Sequence, residues 1–298
     1  MNLDLSSCIF KEKIRKLDLN GANIGGDSSY SFMGENNNSA QPFFALEIPY
    51  AKDNFYPDYI NEAFGTEDFY EKLKIALNSG ADMVSVKFNA DESSLEALCE
   101  EIPSIIAQIE AFSSKPMIYR GANNTEIDKI LLPKIAESAK KQSIIAFADE
   151  TNYEEIVPPV VNAGHCLVLR TPIDINLAKE LNILTIDKNL PPDRILIDPD
   201  MGGLGYGLEY GYSIVEKIKQ AGFDGDTMLN MPIIAFIGEE TCKAKEAKSE
   251  KFDENWGIYE ERAAMWEISA ASAMICAGVN LLVLWNPETI KTLKGLIK

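Results

Sequence analysis

From residue 43 onward, short apolar runs rich in branched and aromatic residues alternate with longer segments whose apolar positions recur at helical spacing. Runs without a polar face predict strands covered on both sides, and eight of them follow one another. They are Phe43 to Pro49, Met83 to Phe88, Pro116 to Arg120, Ser143 to Ala148, Cys166 to Arg170, Ile195 to Asp198, Pro232 to Ile237 and Leu281 to Trp285. The segments between them open with helix-start chemistry: Asp91 precedes one, Thr125 with Asp128 resembles a capping box, and Asn286-Pro287 sets a cap before a first-turn proline. Stop signals precede several strands, at Ser79-Gly80, Ala163-Gly164 and Ala277-Gly278. Eightfold strand–helix alternation with short loops predicts a TIM (β/α)8 barrel of one domain over residues 43–298. A doubly wound open sheet shares the local pattern and stays the alternative.

Residues 1–42 lack this alternation and carry Gly25-Gly26-Asp27 and the polar stretch Gly34 to Ser39. A short hairpin or an irregular cover over the bottom of the barrel is expected there. The stretch Lys243 to Glu254 is rich in lysine and glutamate and reads as a solvated excursion between the seventh strand and Trp256.

Composition narrows the possible partners. The 298 residues, 46% of them hydrophobic, suit the core of one such barrel. Acidic residues outnumber basic ones 46 to 28, and a formal charge of -18 repels nucleic-acid phosphates and anionic membrane surfaces, so neither is an expected partner. The opening Met1-Asn2-Leu3-Asp4 has no basic or apolar signal region, and no apolar run reaches the roughly 18 residues that span a bilayer, so a cytoplasmic location is expected. Five cysteines (Cys8, Cys99, Cys166, Cys242 and Cys276) lie far apart without a C-x-x-C, which predicts buried or inert thiols, no disulfide framework and no iron-sulfur cluster in this chain. The lone histidine, His165, falls at the start of its strand, away from the end that carries function in barrels, and a His-rich metal site is not expected.

Reading the C-terminal strand ends gives Glu47, Lys87 with Asn89, Arg120 with Asn123 and Asn124, Asp149 with Glu150, Arg170, Asp198 with Asp200, Glu239 with Glu240, and Asn286. A polar rim is also what any barrel shows where loops meet water. Glu150 with Glu154 or Glu155 reads more simply as helix-start charge than as an acid–base pair. Lys87 suits a Schiff base or an ion pair with Glu47. No nucleophile, base and orienting group fall together, and no catalytic residue is assigned.

One segment stands out, running from Ile195 through Asp198-Pro199-Asp200 and Gly202-Gly203-Leu204-Gly205-Tyr206-Gly207 to Glu209-Tyr210. Four glycines in six positions give access to positive φ and let a flat ligand or another chain approach the backbone. The segment does not fit a dinucleotide fingerprint, since no placement satisfies G-x-G-x-x-G with a helix at the right offset. A plain glycine-rich turn is the simpler alternative, but Tyr206 and Tyr210 are residues common at recognition surfaces.

Here the sequence resembles the small subunit of the corrinoid iron-sulfur protein of the acetyl-CoA pathway, which is the delta subunit of the archaeal decarbonylase complex. The resemblance runs in order over most of the chain. It is carried by Arg170-Thr-Pro-Ile-Asp174-Ile-Asn176, Leu181-Asn182-Ile183, Asp198-Pro199, the Gly202 to Tyr210 stretch, Gly225-Asp226-x-Met228-Leu-x-Met-Pro232, Lys245-Glu246-Ala247, Trp256-Gly257 and Met265-Trp266-Glu267. It implies a barrel related to those of pterin-dependent methyltransferases, paired with a large subunit that carries the corrinoid (cobalamin) and an iron-sulfur cluster. The corrinoid of that family takes a methyl group from methyltetrahydrofolate or methyltetrahydropterin through a methyltransferase and passes it to acetyl-CoA synthase, both transient partners. The barrel mouth helps cover the corrinoid, which places the contact on Gly202, Gly203, Leu204, Gly205, Tyr206, Gly207, Glu209 and Tyr210, with Arg120, Asn123 and Arg170 as neighbours. The chain departs from the family pattern in its short polar N-terminal region, in the acidic stretch after the seventh strand, and in Trp285-Asn286 where a basic pair is commoner.

The leading expectation is an accessory carrier subunit. A self-sufficient methyltransferase holding a methylpterin through Asp149, Asn123 or Asp198 is the alternative, and a Schiff-base aldolase using Lys87 is a third.

Overall fold

The computed structural model describes residues 10–30, 40–50, 56–205 and 207–297. An antiparallel hairpin, β1 (Lys16–Leu19) and β2 (Ala22–Gly25), precedes the repeating part of the chain. The strands that follow are β3 (Phe43–Pro49), β4 (Met83–Lys87), β5 (Met117–Arg120), β6 (Ile144–Ala148), β7 (Cys166–Arg170), β8 (Ile195–Asp198), β9 (Ile234–Phe236) and β10 (Leu281–Leu284). The helices are α1 (Asp58–Phe64), α2 (Phe69–Asn78), α3 (Leu95–Phe112), α4 (Thr125–Ser138), α5 (Tyr153–Ala163), α6 (Ile175–Asp187), α7 (Leu208–Phe223), α8 (Ile237–Lys243), α9 (Lys245–Lys248), α10 (Tyr259–Ala277) and α11 (Pro287–Leu296).

All eight later strands pair in parallel, in the order β8-β7-β6-β5-β4-β3-β10-β9. A parallel bridge between Ile197 and Ile233 joins the two ends, so the sheet is a nearly closed barrel and not the open alternative. Each strand run of the sequence analysis contains one of these strands, trimmed by no more than two residues at an end. The agreement has a physical cause: strands covered on both faces read as near-continuous apolar runs, and that is legible without any partner.

Helix ends show finer chemistry than the sequence patterns suggest. The cap of α4 is Asn124, one residue before Thr125, and its side chain accepts from the amides of Glu126 and Ile127. Asp128 reaches back to the amides of Ala122 and Asn124, because Gly121 leaves room for its carboxylate. Asn286 caps α11 as read, with Pro287 in the first turn. Helices α8 and α9 cover most of the stretch from Ile237 to Lys248, with Thr241, Cys242, Ala244 and Ala247 buried, so the excursion read from Lys243 onward is helical at its start. Lysines alternating with small apolar residues mark the outer and inner faces of that excursion.

Side-chain alternation along the strands divides the barrel interior by height. Low in the cylinder the inward residues are apolar, among them Ala45, Met83, Ile118, Ile144, Cys166, Leu196, Ile234 and Leu281. Leu17, Leu19 and Ile24 of the hairpin belong to the same buried cluster and close its lower end. Asp27 ties the segment after the hairpin to the barrel, accepting from buried Lys219 of α7 and from Asn280. His165 is buried at this lower end, where Nε2 pairs with the Ala136 carbonyl and Nδ1 accepts from the Ser143 amide, and burial lowers its pKa. A second, larger apolar cluster fills the layer between the strands and the helices.

Candidate functional site at the barrel mouth

Further along the same strand faces, the inward positions of five of the eight strands turn polar. Glu47 on β3, Ser85 and Lys87 on β4, Arg120 on β5, Arg170 on β7 and Asp198 on β8 form a charged layer above the apolar one. Arg120 is fully buried between two carboxylates: Nη1 donates to Glu47 Oε1 at 2.9 Å and Nη2 pairs with Glu239 of α8. Asn123 closes the network, accepting from Arg120 at 3.0 Å and donating to Glu239 at 2.7 Å. Glu47 also accepts from Tyr56 at 3.1 Å, Ser85 at 2.8 Å and Trp285 Nε1 at 2.9 Å. Burial alone would raise its pKa, but the charges of Arg120 and Lys87 and these hydrogen bonds hold it below the ordinary carboxylate range.

A second pair stands beside the first. Arg170 Nε donates to Asp198 at 2.6 Å, and its Nη1 lies 3.7 Å from Asp200. The guanidinium sits 3.6 Å over the Phe147 ring and 5.1 Å from that of Phe236, which fixes its plane. Burial raises the pKa of Asp198 despite Arg170. On the far side, Glu267 of α10 accepts from the amides of Trp285 and Asn286, and its burial pushes the pKa up to about 7.

The glycine loop leaves the C-terminal end of β8, at the top of the cylinder. Its glycines serve different ends. Gly205 (φ +82) and Gly207 (φ +95) turn the chain where a side chain would be strained. Gly203 is buried, and a Cβ there would stand 2.5 Å from the Glu240 carbonyl, so its bare backbone is taken up by α8 and not by an outside group. Trp266 of α10 braces the loop by donating to the Leu204 carbonyl at 3.0 Å. Gly205, Glu209 and Tyr210 face outward, Tyr210 with 63% of its surface exposed. Tyr206 lies outside the described residues.

The geometry sorts the residues singled out in the sequence. It brings Arg120, Asn123 and Arg170 under the rim, where Arg120 is spoken for by protein carboxylates and only Asn123 is exposed. Lys87 is buried beside Glu47 and 5.9 Å from the Tyr56 ring. Asp149 turns inward on its own helix start, accepting from Thr151. Glu239 as the second partner of Arg120, the Phe147 and Phe236 rings against Arg170, and Glu267 behind Trp285 were not assigned from sequence. Strand parity points to the inward face, but pairing across 119 residues, as between Arg120 and Glu239, leaves no local signal.

A parallel barrel with charge gathered at its C-terminal mouth and a glycine loop on the rim defines the class. Solved structures of that shape include dihydropteroate synthase of Xanthomonas albilineans, at TM-score 0.56 and 13% identity over 95% of this chain and 98% of that one, and the Yersinia pestis enzyme, at 0.55 and 9% over 95% and 98%. Within the class, residues 19–285 match the CO dehydrogenase/acetyl-CoA synthase delta subunit family, and the chain belongs to that family. Acetyl-CoA decarbonylase/synthase complex subunit delta of Methanocaldococcus jannaschii is 29% identical over 74% of this chain, and that of Archaeoglobus fulgidus is 30% identical over 72%. The chain covers 54% and 49% of those two relatives, about half their length.

Proposed function

We propose that this chain is the barrel subunit of a corrinoid-dependent methyl-carrying complex in the cytoplasm, covering a corrinoid held by a larger partner subunit. The observation that carries the reading is the position of the glycine-rich stretch on which the resemblance rests: Gly202 to Gly205 and Gly207 to Tyr210 stand on the rim of the barrel mouth, braced from below by Glu240 and Trp266, with Gly205 and Tyr210 turned outward.

The rim residues suit covering such a group. Among the described residues no set of three or more His, Cys, Asp or Glu side chains could hold a metal ion, and His165 is buried at the opposite end. A rim of exposed glycine backbone and tyrosine is what a flat macrocycle needs on one face. When bound, the corrinoid supplies a cobalt that accepts a methyl group and hands it on. The chain's own part is to exclude water from that face while keeping its shape, which the Arg120–Glu47–Glu239 network secures by locking β3, β5 and α8 together beneath the rim.

The methyl group would come from methyltetrahydrofolate or methyltetrahydropterin through a separate methyltransferase and leave to acetyl-CoA synthase, both transient partners. Side chains that a stand-alone methyltransferase would turn to a pterin are already paired within the protein, Asn123 with Arg120 and Glu239 and Asp198 with Arg170, which favours the accessory role. Co-expression with a corrinoid-bearing large subunit tests the reading. A stable heterodimer with the corrinoid absorption spectrum is expected; a chain that stays monomeric beside the large subunit, or that binds methyltetrahydrofolate tightly alone, overturns it.

A further inference from the structure

Away from the mouth, on the outside of the barrel, α3 and α4 leave an apolar groove between them, of volume about 530 Å³. Its floor is Leu95, Cys99, Ile130 and Pro133, and Ile130 shows 55% of its surface to solvent, although burial is the usual fate of an isoleucine on the face of a barrel helix. The contributing positions on α4, Ile130, Pro133, Lys134 and Glu137, are spaced i, i+3, i+4 and i+7, so one face of the helix is turned into the groove.

The rim carries a strong charge of one sign. Glu96 and Glu100 stand one turn apart on α3 along one edge, with Glu92 in the turn just before that helix, and Glu137 of α4 stands on the other. Lys134 is the one basic residue lining the groove. Like charges one turn apart on a helix repel, and among the described residues none of these four carboxylates takes part in an ion pair. The arrangement works against the isolated chain and in favour of a cationic occupant.

We infer that this groove is a docking site for a partner polypeptide that presents an amphipathic helix with an apolar stripe flanked by lysine or arginine. Helix-in-groove recognition places anchors at i, i+3, i+4 and i+7 into such a trough, and here the glutamate edges select basic flanks. A second copy of this chain is a poor occupant, because a two-fold contact through the groove sets glutamate rim against glutamate rim on molecules of charge -18 each. The site lies on other elements than the glycine loop, and it stands or falls independently of the corrinoid reading.

The test titrates the full chain with a fluorescent synthetic helix of roughly four turns, bearing leucines at i, i+4 and i+7 and lysines beside them, and with a scrambled peptide of equal charge. Binding of the first peptide alone is expected, weakened roughly tenfold or more by Glu96→Lys with Glu100→Lys and by Ile130→Glu, all exposed changes that leave thermal unfolding unaltered. The bound peptide also slows maleimide labelling at Cys99, followed by peptide mass mapping. Equal binding of the scrambled peptide, unchanged affinity in the variants, or unchanged Cys99 labelling overturns the inference. Self-association that Ile130→Glu abolishes overturns it too, by assigning the groove to a second copy.

Discussion

Glu47 and Arg120 show how much a single side chain commits the fold. Each sits at a strand position whose parity points it inward, and each is held charged there by the other together with Glu239 for Arg120 and Lys87 for Glu47. Arg120→Leu leaves Glu47 and Glu239 buried without their shared cation and should cost about 3–5 kcal/mol in urea unfolding. Adding Glu239→Gln should recover part of that loss, a coupling that a merely steric defect would not show. Glu267 makes the opposite electrostatic statement. Its folded pKa of about 7 exceeds the ordinary 4.5, so the folded state holds this proton more tightly than the unfolded chain does. The resulting stabilisation is complete below the unfolded value and is lost as pH rises through the folded one. Asp128, pushed up to about 6 by burial, has the same sign. The stability these two groups contribute should therefore fall between pH 5 and 8, opposite in sign to the contribution of His165, and the pH profile of Glu267→Gln should lack up to about 3 kcal/mol of that fall. The inward parity of these residues was legible in the sequence. Their charge state was not, because it depends on which amides and cations other elements bring to them.

At the scale of elements, the eight strands and several helix ends were readable because the signals are local: near-continuous apolar runs, Asn286-Pro287, glycine at the ends of α5 and α10. The glycine loop was readable as a feature but not in its division of labour. Gly203→Ala drives a methyl group into the Glu240 carbonyl, and the loop and α8 must part, at a cost of about 1–3 kcal/mol. A Cβ at Gly205 would meet nothing closer than Trp266 at 4.0 Å, so the penalty of Gly205→Val is chiefly that of a branched residue at φ +82, about 1–2 kcal/mol. The two variants separate packing from presentation. Unfolding measurements should rank Gly203→Ala as at least as damaging to stability, whereas pull-down of the large subunit should rank Gly205→Val as damaging out of proportion to its stability loss. Trp285 stacks on Tyr56 at 3.9 Å and donates to Glu47. The indole thus supplies the hydrogen bond to Glu47 without adding a third cation near Arg120 and Lys87.

Over the whole molecule, five of the nine large exposed apolar side chains among the described residues lie around the top, while Phe112, Ile130, Ile183 and Leu296 lie on α3, α4, α6 and α11. Ile173, Tyr210, Trp256, Ile258 and Met265 all belong to segments that follow strand ends at the top or to the first turns of α10, and Trp256 joins the glycine loop through Trp266, whose ring lies 5.6 Å from its own. Ile173 is held at φ +42, a conformation unfavourable for a branched residue, with its amide bonded to the Pro199 carbonyl at the root of the glycine loop. The opposite end is sealed by the hairpin and by the Lys219–Asp27–Asn280 cluster. A partner drawn to the top would thus meet apolar side chains and backbone on a molecule whose overall charge of -18 attracts no acidic protein. Association led by apolar burial responds little to screening, whereas steering between opposite charges collapses over a few Debye lengths. The affinity for a large subunit, measured by calorimetry from 0.1 to 1 M salt, should accordingly change by less than roughly threefold, and Trp256→Ala should weaken it by about tenfold or more. A steep loss of affinity with salt would instead place the contact on the charged flanks of the barrel, where α3 and α4 carry their glutamate edges.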